Sequence, residues 1–326
     1  MRKFWRRTGV AACVFAAFVF INNSSLLTGR EGPPVLLAHR GMAQAFDRTG
    51  LRNDTCTAAR MLRPTHPYLE NTIASMRASF DAGADVVEVD VHPTTDGQFA
   101  VFHDWALDCR TDGHGVTRQH AMAELRTLDV GYGYTADGGR TFPFRGKGVG
   151  LMPSLDEVLE TFPQGRFLIN IKSNDAAEGR LLAAALKKRP ADEADRLMVY
   201  GGDQPVAAFR RDAPAIRSMS KRTLKACLLA YIGYGWTGMV PAACRHSVIL
   251  VPRNVAPWLW GWPNRFLDRM EGAGSAVFLV GSYDGGDFLS GIDTVDEARD
   301  LPSGYSGGVL TNELLTIAPV LKKAVP

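Results

Sequence analysis

Short runs of Val, Ile, Leu and Phe recur along the chain, separated by stretches whose apolar residues fall at helical spacing. The runs are Val35–Ala38, Asp85–Val91, Phe99–Phe102, Arg166–Ile171, Leu197–Tyr200, Ile216–Met219, Val248–Val251, Ala276–Val280 and Gly308–Leu310. Most show little polar/apolar alternation, the pattern of strands buried on both faces. Thr72–Asp81 carries Ile73, Met76 and Phe80 at helical spacing and stops at Gly83. Ser154-Leu155-Asp156-Glu157 is a capping box that opens a helix through Leu159. Asp175–Lys188 is Ala/Leu-rich and helical, and Thr294–Leu301 is a shorter candidate. Repeated strand–helix alternation predicts an α/β fold on a parallel sheet, closed or open. No repeat, low-complexity tract or Gly/Ser linker divides residues 31–326, so one domain is expected there. Nine strands are one more than a closed eight-stranded barrel holds, so one run is extra or misread.

The first thirty residues break this pattern. Arg2, Lys3, Arg6 and Arg7 precede an unbroken apolar run from Val10 to Ile21, which dips into Asn22-Asn23-Ser24-Ser25 before Leu26-Leu27. A basic start followed by a short apolar run is the form of an export signal. No good small-x-small cleavage site follows, which favours an uncleaved signal-anchor over a cleaved peptide. Either reading exports the remainder, membrane-anchored on the outer side or secreted. Val10-Ala11-Ala12-Cys13 resembles a lipobox but precedes the apolar run, so Cys13 reads as an incidental apolar residue.

Composition adds exclusions. With 46% hydrophobic and 22% charged residues the chain is not disordered, collagenous, coiled-coil or multi-spanning. The net charge of +3 is carried by the N-terminus: residues 1–30 hold five basic residues and no acidic one, leaving 32 basic against 34 acidic beyond them. No basic face for nucleic acid is expected. In an exported chain, Cys56, Cys109, Cys227 and Cys244 suggest a disulfide framework with three possible connectivities.

Candidate chemistry gathers at the ends of the first strands. The first runs into His39-Arg40-Gly41, and Glu70-Asn71-Thr72 opens the first helix. Glu88 and Asp90, two apart in a strand, point to the same face. Thr94-Thr95-Asp96-Gly97 makes a reversal, and the next strand ends in His103-Asp104. Two carboxylates in a Val-walled strand need a cation or donors, either a basic side chain or a hard divalent ion. Two histidines at neighbouring strand ends could share general-base and general-acid work.

The ordered series H-R-G, E-N-T, G-A-D-x-x-E-x-D-V, T-x-D-G and V-F-H-D, from His39 to Asp104, resembles the glycerophosphodiester phosphodiesterase family. That family is related in chemistry to phosphoinositide-specific phospholipases C. The likeness continues more loosely through Thr111–Gly115, Met152–Leu155 and Phe167–Lys172, and ends with Gly308–Asn312, similar to a closing G-x-x-T-D strand. The resemblance implies a TIM-type (β/α)₈ barrel with its site at the strands' C-terminal face. It implies an acid/base pair at His39 and His103. It also implies a divalent metal, Ca²⁺ or Mg²⁺, at Glu88 and Asp90, and phosphate contacts at Arg40 and Lys172. Glu70 would lie beside the metal. The implied substrate is a small glycerophosphodiester, hydrolysed to glycerol phosphate and an alcohol during phospholipid breakdown.

Three departures stand out. The segment between Gly41 and Glu70 is long and holds Arg52, Cys56, Arg60 and Arg63. Leu69 replaces the Pro usual before E-N-T. Asn170 stands two residues before Lys172 where the family usually has Glu, its third metal ligand, so weaker metal binding is expected. If Cys56 and Cys109 both flank the implied site, Cys56–Cys109 with Cys227–Cys244 is the preferred pairing. Two other functions remain: a phospholipase-type lyase forming a cyclic phosphate, and a non-catalytic membrane-tethered binding protein. Trp258-Leu259-Trp260-Gly261-Trp262 would suit a protein beside a bilayer, or a loop packed on the barrel.

Overall fold

Eight of the nine predicted runs lie side by side as parallel strands in the computed structural model, which describes residues 2–52, 55–286 and 290–322. The strands are β1 (Val35–Ala38), β2 (Val86–Pro93), β3 (Phe99–Val101), β4 (Phe167–Ile171), β5 (Leu197–Gly201), β6 (Arg217–Ser220), β7 (Val248–Pro252), β8 (Ala276–Val280) and β9 (Gly308–Thr311). Their order is β6-β5-β4-β2-β1-β9-β8-β7. The outer edges face each other where Ser247 Oγ donates to the Ser218 carbonyl at 3.1 Å, giving a nearly closed barrel of TIM type. The extra strand is β3, which pairs antiparallel with the end of β2, Val91 opposite Val101.

Strand alternation explains the two cores. Val86 of β2 joins Leu37, Leu168, Met198, Phe278 and Leu310 inside the barrel, while Val87, Val89 and Val91 pack outward against the helices. Glu88, Asp90 and His92 therefore share the inward face with Val86 and are buried. Capping boxes open Ile73–Asp81 at Thr72, Leu155–Thr161 at Ser154 and Val295–Arg299 at Thr294. The helices Asp203–Asp212, Lys221–Tyr234, Asn264–Gly272 and Leu314–Lys322 complete the alternation.

The long segment after β1 is not a free loop. Ala58, Met61 and Leu69 pack with Phe102, Leu107, Met122, Leu125, Tyr134 and Phe144 in a separate small core over the site. Cys56–Cys109 staples it at a Cα–Cα distance of 5.5 Å, and Cys227–Cys244 joins the second pair, so the preferred connectivity is the one formed. Cys13 is exposed and free.

The N-terminal segment forms a helix, Arg2–Asn23, but not the spanning anchor expected. No helix among the described residues is long and apolar enough to cross a membrane. The physical reason is length: the run Val10–Ile21 rises only about 18 Å against about 30 Å of hydrocarbon. The side chains of Arg2, Lys3, Arg6 and Arg7 lie outside those described. The helix meets the barrel through its last turns, where Asn22 and Asn23 both donate to the Trp236 carbonyl and Arg269 donates to the Asn22 carbonyl and the Asn23 side chain. Of the tryptophan cluster, Trp258 is exposed, Trp260 donates to the Ile232 carbonyl, and Trp262 packs on Phe266 and Tyr305.

Candidate functional site

The site grows from the turn that ends β1. Arg40 and Gly41 both have left-handed backbones, φ 61° and 73°, which swing His39 and Arg40 over the barrel mouth. Gly41 is required twice over, because a Cβ there would also sit 2.7 Å from Ser75 Oγ. Asn71, left-handed at φ 58°, donates its N–H to the Arg40 carbonyl and its amide to Asp90.

Each histidine is oriented through Nδ1. His39 Nδ1 lies 2.6 Å from Asn312 Oδ1. Asn312 donates its amide N–H to Asp293, so Oδ1 accepts from His39 Nδ1–H and leaves Nε2 as the free nitrogen. His103 Nδ1 lies 2.7 Å from Asp104 Oδ1. Burial, and then Arg40, push His39 down to about 3. Burial also lowers His103, with Arg40 and Lys172 adding to the effect. Both rings are thus neutral near pH 7, the form that can accept a proton.

Four carboxylates and three cations fill the space between them. Glu70 receives Arg40 Nη1 and Arg110 Nη1, each at 3.1 Å. Burial favours its neutral form, but Arg110 and Arg40 outweigh it and hold Glu70 below the usual range. Asp90 lies 3.3 Å from Arg40 Nε and 3.4 Å from Lys172 Nζ, and accepts from Asn170 Nδ2 at 2.9 Å. Burial opposes ionisation there too, but Lys172 and its neighbours keep Asp90 ionised. Glu88 is the odd member. Burial and the adjacent Asp90 charge raise it, although Tyr200 donates to it at 2.7 Å and the Arg40 N–H at 3.1 Å. Its Oε2 is 3.8 Å from His39 Nε2.

All eight residues singled out from the sequence therefore meet at the C-terminal ends of β1, β2 and β4, the start of the first barrel helix and the end of the β3 connection. Among the described residues, no group of three or more His, Cys, Asp or Glu is arranged to hold a metal ion. What is present is a pair of neighbouring carboxylates, Glu88 and Asp90, of which Glu88 has no cationic side chain on its oxygens and is pushed up by burial and by Asp90. That donor set fits a hard divalent cation. Glu70 has both oxygens engaged by arginines, and Asn170 turns its amide N–H toward Asp90.

Sequence reasoning missed Arg110, Tyr200, Asp293 and the orienting role of Asn312. Two signals were available: the basic residue beside Cys109, and the Tyr of β5 in register with Asn170 and, through it, Asp90.

The glycerophosphoryl diester phosphodiesterase family pattern matches residues 39–220. A glycerophosphodiester phosphodiesterase of Caldanaerobacter subterraneus is 35% identical over 103 residues, which cover 32% of this chain and 39% of that protein. The chain thus matches about two fifths of the length of that curated relative. Among solved structures, the glycerophosphoryl diester phosphodiesterase domain of an uncharacterized Mycobacterium tuberculosis protein superposes with a TM-score of 0.63 at 17% identity, over 88% of this chain and 99% of that one. An Oleispira antarctica phosphodiesterase, in complex with the product sn-glycerol-3-phosphate, superposes with a TM-score of 0.55 at 19% identity, over 88% of this chain and 96% of that one.

Proposed function

Because the chain belongs to the glycerophosphoryl diester phosphodiesterase family, we propose that it hydrolyses glycerophosphodiesters to glycerol phosphate and an alcohol, with His39 and His103 as its acid–base pair. One observation carries this reading: two buried, neutral imidazoles are each tied through Nδ1, to Asn312 and Asp104, across a mouth that also holds Arg40 and Lys172. Arg40 and Lys172 meet the negative phosphate, releasing part of their hold on Asp90. One imidazole takes a proton from the attacking hydroxyl, either water or the neighbouring substrate hydroxyl, as its oxygen bonds to phosphorus. The other, protonated at Nε2 once the negative phosphate is bound beside it, gives that proton to the departing alkoxide as the P–O bond breaks. The proton taken by the first ring restores the pair's total. Where a substrate hydroxyl attacked, water then opens the cyclic phosphate with the two roles exchanged. Glu88 and Asp90 would hold the divalent cation, Ca²⁺ or Mg²⁺, with Glu70 and Asn170 at its margin. When bound, such an ion neutralises phosphate charge in the transition state.

The test is turnover of a panel of water-soluble glycerophosphodiesters by the full chain, with and without chelator, with product identification. Replacing His39 or His103 by Ala should lower kcat by ~10²-fold or more while leaving the fold intact. Chelator should suppress turnover and added Ca²⁺ or Mg²⁺ restore it. Near-normal turnover by His103→Ala defeats the acid–base assignment, and a cyclic phosphate as final product defeats hydrolysis.

The chain works in an oxidising compartment, attached to a lipid surface by the helix Arg2–Asn23. Two disulfides support the compartment. The attachment is supported by apolar side chains that nothing covers, Trp5, Val10, Val14 and Phe20 among them, behind a basic N-terminal stretch.

A further inference from the structure

Arg110 heads the largest fully buried side chains, and nothing in the proposed chemistry uses it directly. Its guanidinium serves four partners on three separate segments. Nε lies 2.9 Å from Asp104 Oδ2, Nη1 donates to Glu70 Oε2 at 3.1 Å and meets the Tyr134 hydroxyl at 2.6 Å, and Nη2 donates to Thr57 Oγ1 at 2.5 Å. Asp104 turns its other oxygen to His103 Nδ1, and Glu70 turns its other oxygen to Arg40. Arg110 is thus one residue removed from a proposed acid–base group, through an ion pair with Asp104 that lacks hydrogen-bond geometry, and from a proposed phosphate contact, through Glu70, and touches neither. Its neighbour Cys109 is bonded to Cys56, which adjoins Thr57, so the disulfide ties together the two segments that supply and satisfy this cation.

We propose that Arg110 is a positioning residue: its planar fork fixes the Asp104 carboxylate, and through it the ring of His103, while the Cys56–Cys109 bond holds the fork in place. This rests on the reading of His103 as an acid–base group. A fork with fixed directions can hold two carboxylates and two hydroxyls at once, and an ammonium cannot. Loss of the fork leaves Asp104 free to turn, so His103 loses its orientation while Arg40 and Lys172 still bind phosphate. The effect therefore falls on kcat more than on KM.

The experiment measures kcat and KM for the full chain carrying Arg110→Met, Arg110→Lys, Asp104→Asn, the Arg110→Met/Asp104→Asn pair, His103→Ala, and Cys56→Ser with Cys109→Ser. Folding of each is monitored by near-ultraviolet circular dichroism. Arg110→Met should lower kcat by ~10²-fold with KM changed by less than about threefold, and Arg110→Lys should recover little. Asp104→Asn should cost a similar factor, and the double variant no more than the worse single one, because both act through one ring. The Cys pair should lower kcat in the same direction by a smaller factor. Should Arg110→Met fail to fold, Asp104→Asn and the Cys pair carry the same kcat-against-KM test. A folded Arg110→Met with kcat within about threefold of the parent, or factors that multiply in the double variant, overturns the positioning role. If His103→Ala is itself active, the acid–base reading fails instead, and the two failures are distinct.

Discussion

At the scale of single residues, the site is decided by which carboxylates already have partners. Asp90 and Glu70 are met by Lys172, Arg40 and Arg110, whereas Glu88 has a phenol and a backbone N–H and is pushed toward its neutral form by burial and by Asp90. Asn170 occupies a place that faces Asp90 across the β2–β4 register and supplies a donor there at 2.9 Å. Asn170→Glu exchanges that donor for a charge beside Asp90. Without a divalent ion the variant should be less stable, by at least about 1–3 kcal/mol, because a buried carboxylate replaces a satisfied pair. With Ca²⁺ or Mg²⁺ the sign reverses, since hard-cation affinity rises with ligand charge. Titration calorimetry should show roughly tenfold tighter binding, and thermal unfolding should show a larger rise on adding the ion than in the parent. Unchanged affinity in a folded variant would mean that position 170 does not face the cation.

At the scale of elements, what was legible followed from local rules. Buried runs of branched residues marked all nine strands, a capping box marked the helix start at Ser154, and helical spacing marked the one after Thr72. The run at Phe99–Val101 was legible as a strand and the Asp96-Gly97 reversal before it was legible too, but nothing local marked it as the strand that pairs outside the barrel. Asn264–Gly272 went unread because only Phe266, Leu267 and Met270 are buried among charged neighbours, too short a stripe to stand out. Arg110 and Tyr200 went unread because their partners come from distant strands and loops. The H-R-G turn is the element on which the site most depends. Gly41→Ala adds a Cβ at φ 73° and 2.7 Å from Ser75 Oγ, which serves the capping box of Ile73–Asp81. The strain should cost about 1–3 kcal/mol, read as a lower unfolding midpoint, and displacement of His39 should lower kcat as well. Pairing it with Ser75→Gly removes the clash but not the φ strain, so the double variant should regain part of the midpoint. A midpoint and kcat equal to the parent's would show that the turn tolerates a side chain.

At the scale of the whole molecule, the two ends of the barrel have separate tasks. The catalytic groups sit where the strands end, while the N-terminal helix is rooted where they begin. Trp236 lies in the connection entering β7, Arg269 ends the helix that feeds β8, and Arg30 pairs with Asp268 and Glu271 on that same helix. A lipid surface bound by Arg2–Asn23 would therefore lie at the end away from the site, leaving the mouth open to water-soluble diesters and away from the lipids of that bilayer. The full chain should float with vesicles containing anionic lipid, and turnover of a soluble glycerophosphodiester should stay within about twofold of the free value, since diffusion to the mouth is unobstructed. Phe15→Asp with Phe18→Asp places two charges in the apolar run and should leave the protein in the aqueous fraction with the same turnover. Failure of the parent chain to float would remove the attachment. Flotation accompanied by loss of soluble turnover would mean that the mouth faces the membrane, and the polarity drawn from the rooting of the helix would be wrong.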